Sequence, residues 1–528
     1  MFNPSKKRYR FRLIIPKYPA FNIYSNIARI TTALGPVCIA TVVKEMEDWD
    51  VEVIDENNLG KCGPRSLSGG ADHSLLQYMR EADVVGLYGG LTSTIPRLYE
   101  IARFYKERGA IVIAGGQHFV GENIGEALNS YIDYVVIGEG EETIRELLGA
   151  LQENRDVSRI KGIAYLKGER VVLTEPREPI TDFDKLPHPD FSLVRYAKIK
   201  LYPIGRVRGC GMNCEFCTVK GRPRPASVER VLEDIRLVVE SRDGRHFFIV
   251  DDLFGQYREE TIRFCNMLRD YQDQIRRRLD FTVQIRLDKA KDSQLLSAMR
   301  RAGINMVAIG FESPIDEELK AMNKCIRTED MIELARIFHR FGFLVHGMFI
   351  FGYPLRENIS FSLSEEERIR RFKRFIKEAK IDTIQVLLPV PLPGTELRYR
   401  LERQKRIYPL EDIGWEYYDG NFPLFEPDKP LSASSLQSSI LKIMGKFYQF
   451  KYIFIMGLHI FLFPSLIFFL NNIKIGWRKW YRLWRNGLIR FGGWKIMKDW
   501  KSEFKKDRFF EKLKEAEKKI KILRDKEI

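Results

Sequence analysis

Two α/β units in series, followed by a mostly helical C-terminal region, are the architecture these 528 residues predict. Three observations predict it. Short apolar runs alternate with amphipathic helical patterns over residues 11–150, a second such series runs over 205–393, and the composition changes abruptly beyond Lys451. The first series predicts a doubly wound parallel sheet, because its strands are apolar enough to be buried on both faces. The second predicts a partial (β/α)6 barrel, since six repeats in roughly 190 residues fall short of the about 250 of a closed eight-unit barrel.

In the first unit, strands are expected at Phe11–Ile15, Val51–Asp55, Val84–Tyr88, Ile111–Ala114 and Tyr134–Ile137. Helices are expected near Val37–Met46, Ser74–Glu81, Ile95–Arg108, Asn123–Leu128 and Glu142–Leu151. Ligands of such sheets sit beyond the strand C-termini. This chain places Asp55-Glu56-Asn57, Gly89-Gly90-Leu91-Thr92, Gly115-Gly116-Gln117-His118 and Gly138-Glu139-Gly140 there. Glycine at these points lets the backbone approach a ligand closely. No Gly-x-Gly-x-x-Gly follows the first strand, so a dinucleotide site is a weak reading. Residues 160–175 read as a small hairpin, and the four prolines between Glu175 and Asp190 as a linker. The barrel strands are expected at Gly205–Arg208, Phe247–Val250, Phe281–Ile285, Met306–Phe311, Val345–Phe351 and Thr383–Leu388. The divisions are a basic tail at 1–10, the sheet unit at 11–175, a linker at 176–200 and the barrel at 201–394. A cap over the barrel mouth follows at 395–450, then an apolar and Trp/basic segment at 451–500 and a charged, solvated helix at 501–528.

Composition excludes a disordered or collagen-like chain, with 45% apolar and 30% charged residues. The net charge of +16 is concentrated at the ends. Residues 1–12 carry five Lys/Arg and no acid, residues 471–528 carry 19 against 8 acids, and residues 13–470 balance. The charge therefore reads as an attachment device for an anionic surface rather than a substrate-recognition face. Seven cysteines, an odd number, with no readable signal peptide predict a reducing cytosol rather than a disulfide framework.

The strongest motif is Cys210-Gly-Met-Asn-Cys214-Glu-Phe-Cys217. Three thiolates within eight residues of a Gly-containing loop can converge on one metal centre. Three ligands rather than four leave one iron of a 4Fe–4S cube open to a small molecule. A structural zinc knuckle would want a fourth Cys or His close by, and the next His is His246. The CxxxCxxC spacing, with Phe216 before the last Cys and a βα series after it, resembles the radical S-adenosylmethionine (SAM) superfamily. That resemblance implies that Cys210, Cys214 and Cys217 hold a 4Fe–4S cluster whose open iron chelates SAM, and that reductive cleavage of SAM yields a 5′-deoxyadenosyl radical. It also implies SAM contacts from Phe216, Asp251, Asp252, Gln284, Arg286, Glu312, Ser313, Ile350 and Gly352, all at barrel strand ends or in the thiol loop. Asp251-Asp252 departs from the family's Gly-Gly-Glu; a helix cap is the competing reading there, and strand-end turns compete at the other positions. Cys265 and Cys325 read as packed or incidental thiols, and Cys38 and Cys62 stand too far apart for a metal set.

In the first unit, Gly115-Gly116-Gln117-His118 and Gly138-Glu139-Gly140-Glu141 resemble the Gly-Gly-Pro-His and Gly-Glu-Gly-Glu segments of cobalamin-binding radical SAM proteins. The implied fold there is a flavodoxin- or Rossmann-like cobalamin-binding domain. The implied cobalamin contacts are Gly89, Gly90, Thr92, Gly115, Gly116, Gln117, His118, Gly138, Glu139 and Gly140. For His118, a phosphate contact and a helix cap remain as alternatives. The loop after the first strand, residues 16–22, lacks the Asp-x-His-x-x-Gly that supplies a lower cobalt ligand in other cobalamin proteins. The layout is similar to that of hopanoid methylases and magnesium-protoporphyrin ester cyclases. It implies an enzyme that uses cobalamin to methylate an unactivated carbon of a lipid or other hydrophobic substrate, with flavodoxin or ferredoxin as electron donor. Ring formation or C–C coupling on a lipid or tetrapyrrole is the alternative. An RNA methylthiotransferase would want a second Cys triad, and a non-catalytic iron–sulfur scaffold is the non-enzymatic rival.

Residues 452–470 are 19 in a row without a charge, just long enough to cross a bilayer. Trp477, Trp480, Trp484, Trp494 and Trp500 follow, interleaved with Lys and Arg, a membrane-interface composition. A single span would export a strongly basic tail, against the positive-inside tendency. A re-entrant hairpin or in-plane insertion on the cytoplasmic face is therefore expected, with a buried core helix as the soluble alternative and no nucleic acid as partner.

Overall fold

The computed structural model describes residues 8–60, 62–67, 69–458 and 473–525, and the side chains of all of these except 473–483 and 521–525. The first unit contains β1 (Tyr9–Ile15), α1 (Leu34–Lys44), β2 (Trp49–Asp55), α2 (His73–Met79), β3 (Val84–Tyr88), α3 (Ile95–Lys106) and β4 (Ile111–Gly115). It continues with α4 (Glu122–Leu128), β5 (Tyr134–Val136), α5 (Glu141–Gln152), β6 (Ile163–Lys167) and β7 (Arg170–Leu173). The strand order is β2-β1-β3-β4-β5-β6-β7. The first five are parallel, and β6 and β7 extend the sheet antiparallel, so the hairpin at 160–175 is the sheet's own edge. Alternate side chains of each strand point to opposite faces. Phe11 and Leu13 join the core of α1 and α5, while Ile14 and Ile54 join that of α3 and α4.

Arg10, expected in the basic tail, belongs to this sheet, as Arg12 does. Arg10 Nε lies 2.8 Å from Asp50 Oδ2. Arg12 is fully buried, with Nε 2.7 Å from Glu52 Oε1 and Nη1 3.0 Å from the Tyr105 hydroxyl. A buried guanidinium is tolerated only when paired in this way.

The barrel contains β8 (Leu201–Ile204), β9 (Val207–Arg208), β10 (Arg224–Pro225), α6 (Val228–Arg242), β11 (His246–Phe254), α7 (Arg258–Gln274) and β12 (Asp280–Ile285). Then come α8 (Ser293–Arg301), β13 (Ile304–Glu312), α9 (Asp316–Ala321), α10 (Thr328–Arg340), β14 (Leu344–Ile350), α11 (Glu365–Glu378) and β15 (Thr383–Leu387). Six parallel strands pair in the order β8-β11-β12-β13-β14-β15, an open arc. The first barrel strand is β8, not Gly205–Arg208. Pro203 argues against a strand in the sequence, but β8 is the sheet edge, where a missing N–H costs nothing. Past Ile204 the Asp251 carboxylate takes the N–H groups of Arg206 and Val207, at 2.6 and 2.9 Å, and draws the chain out of the sheet. β9 then pairs antiparallel with β10, framing the cysteine loop.

The region 395–450 divides instead of forming one lid. α12 (Glu396–Arg403) lies beside the cysteine loop. Trp415 and Tyr417 pack on the first unit, against His118 and Phe21. α13 (Ala433–Phe447) lies along the barrel flank on α11 and β15. Two further helices follow, α14 (Ile473–Lys506) and α15 (Phe509–Asp525). The charged C-terminal helix is not a free solvated element. Phe509, Leu513, Ala516 and Ile520 recur at helical spacing on one buried face, and Lys512 and Lys519 pair with Glu416 and Asp412.

Residues 459–472, which hold most of the apolar stretch, lie outside the described residues. Among the described residues, no helix is long and apolar enough to cross a membrane. Residues 452–458 are helical and run against α14: a Cβ on Gly487 would meet Met456 Cγ at 2.7 Å. Trp494 stacks on Phe491 and touches Phe450, and Trp484 is half-buried. Trp477 and Trp480 lie on the stretch of α14 whose side chains are not described.

Candidate active site

The cysteine loop, residues 209–223, begins just past β9 and is tied down on every side. Gly209 adopts φ +91°, and its Cβ would meet Arg222 O at 2.8 Å, so glycine is required there. Its N–H donates to Asp252 Oδ2 at 2.9 Å. Gln256 Nε2 donates to Cys210 O at 3.2 Å, and Lys220 Nζ to Cys214 O at 3.0 Å. Glu215, between two of the cysteines, is buried. Its carboxylate accepts from Arg400 Nε and Nη2 at 2.8 and 3.0 Å and from the Tyr353 hydroxyl at 2.7 Å. A loop residue is thereby pinned by a helix 185 positions away in the chain.

Cys210, Cys214 and Cys217 line one pocket of about 160 Å³. Gln284 and Arg286 (β12 end), Glu312 (β13 end), Phe216 and Asp252 share it. Burial pushes the Cys214 and Cys217 thiols up, with Lys324 and Lys220 opposing it; a metal overrides such a shift by deprotonating its ligands. Among the described residues no three His, Cys, Asp or Glu close around a single-ion position. Three cysteines lining one pocket on one loop would supply three ligands to a cluster and leave one iron open. The donor set therefore fits the 4Fe–4S group.

The sequence did not single out Lys324 and Met212. Lys324 Nζ lies 2.7 Å from Glu312 Oε1, and Glu312 sits at φ +60°, a strained conformation of the kind that gathers at functional sites. Arg286 Nη1 lies 2.9 Å from Met212 Sδ. Cys325 lines the same pocket from its exposed rim. Neither Lys324 nor Cys325 falls in a strand-end pattern, so periodicity carries no signal for them.

Four sequence-selected residues lie outside this pocket. Asp251 points away from it, under the backbone of Arg206 and Val207, and burial pushes its carboxyl up to about 6. Ser313 donates to Glu318 and accepts from Ile315 N, capping the turn into α9. Ile350 packs against the buried cluster that contains Tyr353 and Leu397. Gly352, at φ +74°, is backed by Leu436 of α13, whose Cδ2 lies 2.6 Å from where its Cβ would be.

A second cleft, about 430 Å³, opens where the two units meet. Gly115, Gly116, Gln117, Gly138, Glu139 and Gly140 form its wall at the sheet's C-terminal edge, and Gly205–Arg208 with Asp252 form the barrel side. A Cβ on Gly138 would project into open space, and Gly116 at φ +134° lies flat on the Gly89 backbone. This apolar, glycine-floored cradle between two domains fits a broad corrin ring. Gly89, Gly90 and Thr92 do not line it: a Cβ on Gly89 would strike Phe119, and one on Gly90 the Tyr88 ring. His118 is also removed from it. Its ring lies edge-on to Trp415, its Nδ1 is 3.4 Å from Thr92 Oγ1, and burial, aided by Arg398, lowers its pKa to about 3. Glu139 does more than line the cleft. It accepts from both Arg224 amines at 2.9 Å, from Arg208 and from Ile180 N, and Glu141 also pairs with Arg208. Burial alone would raise the Glu139 carboxyl, but these cations hold it below its ordinary value.

Residues 204–357 match the radical SAM superfamily, and residues 23–148 match the B12 binding domain. Over 392 residues the chain is 29% identical to an uncharacterized methyltransferase of Pyrococcus horikoshii, covering 71% of this chain and 80% of that protein. It is 24% identical over 341 residues to the anaerobic magnesium-protoporphyrin IX monomethyl ester cyclase of Cereibacter sphaeroides, covering 61% of this chain and about half, 52%, of that enzyme. Its fold is similar to that of the radical SAM methyltransferase TsrM from Kitasatospora setae, solved with cobalamin and a [4Fe-4S] cluster. The TM-score is 0.63 at 15% identity, over 91% of this chain and 99% of that one. The chain carries a radical SAM domain preceded by a B12 binding domain, the pair expected of a cobalamin-binding radical SAM protein. It is a cobalamin-dependent, methyltransferase-like radical SAM enzyme, with a 4Fe–4S cluster, SAM and cobalamin as its cofactors.

Proposed function

We propose that this enzyme methylates an unactivated carbon of a hydrophobic small molecule, a lipid or a tetrapyrrole, at the cytoplasmic face of a membrane. One observation carries the reaction. Asp252 lines both the cysteine pocket and the interdomain cleft, so the two sites adjoin at this side chain. A substrate carbon placed beside it lies within reach of both.

Bound there, the cluster and SAM supply reductive formation of a 5′-deoxyadenosyl radical, and cobalamin supplies a transferable methyl group. In this reading Cys210, Cys214 and Cys217 ligate three irons, and Gln284, Arg286, Glu312 and Phe216 position SAM. Lys324 balances the Glu312 charge. Gly115, Gly116, Gln117, Gly138 and Gly140 seat the corrin, and Glu139 holds the cleft closed against the β9–β10 ribbon. Flavodoxin or ferredoxin donates the electron. The membrane reading is supported by the uncharged run at 452–470 and the Trp- and Lys/Arg-rich sequence after it, with residues 452–458 packed beside Gly487 of α14.

Likeness to a cyclase favours ring formation as the second reading. The experiment is turnover by reduced, reconstituted enzyme, with lipid and tetrapyrrole extracts from cells with and without the gene as substrate. Methylation yields 5′-deoxyadenosine, S-adenosylhomocysteine and a product heavier by one methylene. Deoxyadenosine without S-adenosylhomocysteine, and a product that has lost hydrogen, would establish ring formation instead. Cys214→Ala is expected to lose cluster and cleavage together.

A further inference from the structure

At the N-terminal ends of the barrel strands, the end opposite the cysteine loop, a cavity of about 940 Å³ opens between α10, α11, α13 and α14. Arg336 and Arg340 reach its wall from α10, Lys373 and Lys377 from α11, Lys446 from α13 and Arg490 from α14. Asp382 faces them, but its carboxylate is committed to Val345 N and Asn486 Nδ2, both at 2.8 Å. A single carboxylate among the lining residues cannot offset these cations, so the cavity keeps an excess of positive charge. Lys373 registers it: burial, then Lys446 and Lys442, push its ammonium below the ordinary lysine value.

A donor also waits there. Arg490 donates from Nη1 to the Tyr452 hydroxyl at 2.9 Å and stacks over Phe447, while its buried Nε has no partner. Tyr452, on the same wall, opens the uncharged stretch 452–470. A concave cationic site with a fixed guanidinium suits phosphate oxygens, and its position at the root of an apolar segment suits an amphiphile. We propose that this cavity binds a phosphate group, supplied by the headgroup of an anionic lipid. The phosphate chemistry rests on the cavity alone; the lipid source rests on the membrane reading above.

Full-length protein is sedimented with phosphatidylcholine vesicles, with vesicles in which phosphatidylglycerol replaces part of the phosphatidylcholine, and is titrated calorimetrically with inorganic pyrophosphate. The Lys373→Gln/Lys446→Gln variant is compared with Lys373→Arg/Lys446→Arg, each checked for an unchanged melting temperature. Removing two cations near a charged surface is expected to weaken binding to the anionic vesicles about thirtyfold. The pyrophosphate heat disappears with it, and the arginine pair retains both. Pyrophosphate binding that the glutamine pair abolishes, without any vesicle binding, supports the site and sinks the membrane reading. Equal binding of wild type and variant to both vesicle types, with no pyrophosphate heat, overturns the site and leaves membrane attachment standing. No binding in either arm overturns both.

Discussion

Asp251 and Asp252 are neighbours on one strand and do opposite things, because successive strand side chains point to opposite faces. Asp251 spends its carboxylate on the backbone that leads into the cysteine loop, and Asp252 lines both cofactor pockets. His118 shows the same separation of motif and role. It sits within the stretch that matches the B12 binding domain, yet lies edge-on to Trp415 as a neutral, buried imidazole. Its pKa is about 3 in the folded chain against 6.5 when exposed. The stability this represents is complete above pH 6.5 and is lost as pH falls from there toward 3. His118→Leu is therefore expected to retain corrinoid absorbance after gel filtration. Its urea midpoint should also fall less than the wild type's between pH 7 and pH 4. Loss of corrinoid at neutral pH would place the imidazole in cofactor binding after all.

At the scale of elements, the cysteine loop depends on α12. Arg400 grips Glu215 with two hydrogen bonds while donating from Nη1 and Nη2 to Leu355 O and Pro354 O, each at 3.0 Å. Removing a group that orients a ligand-bearing loop costs roughly tenfold or more in metal affinity. Arg400→Gln is expected to reconstitute but to lose iron to a chelator about tenfold faster, with a shifted EPR signal from the reduced cluster. Arg400→Lys should not rescue it, since lysine lacks the planar fork. Unchanged iron loss and an unchanged EPR signal would show that the loop holds its shape without α12.

On the scale of the whole molecule, the two units are joined by charge as well as by apolar packing. Glu139 on the sheet edge binds Arg208 and Arg224 of the β9–β10 ribbon, and both guanidinium groups also lie over the Phe183 ring of the linker. Hydrogen bonds to a charged partner are worth about 2 kcal/mol each when partly buried. Glu139→Gln is expected to loosen the interdomain cleft, so that protease cuts the 176–200 linker about tenfold faster and corrinoid dissociates sooner. Wild-type rates for both would mean that apolar packing alone holds the units together. α15 acts as a second tie, with Phe509 packed on Tyr417 and Phe422 of the 395–450 region and Tyr417 stacked on Phe21 of the first unit.

What the sequence determined by itself is whatever short spacing encodes. Apolar runs of period two or unbroken burial marked five of the first unit's strands and five of the barrel's six, missing β8 because Pro203 masks an edge strand. Three cysteines in eight residues marked the cluster loop, and a run without charge marked the segment at 452–470. What only the tertiary structure decided is convergence. Lys324, Arg400 and Glu139 acquire their roles from partners 12, 185 and 85 residues away. Ser313 and His118 stand outside both pockets, held by a turn and by a neighbouring ring. The basic residues divide in the same way: Arg10 and Arg12 are consumed by ion pairs in the sheet, while Arg490 from the C-terminal end joins cations of α10, α11 and α13 around one cavity. The physical reason is that periodicity specifies which face of an element is buried. Which strand ends, helices and loops then share a pocket depends on how separate elements dock, and no local pattern carries that.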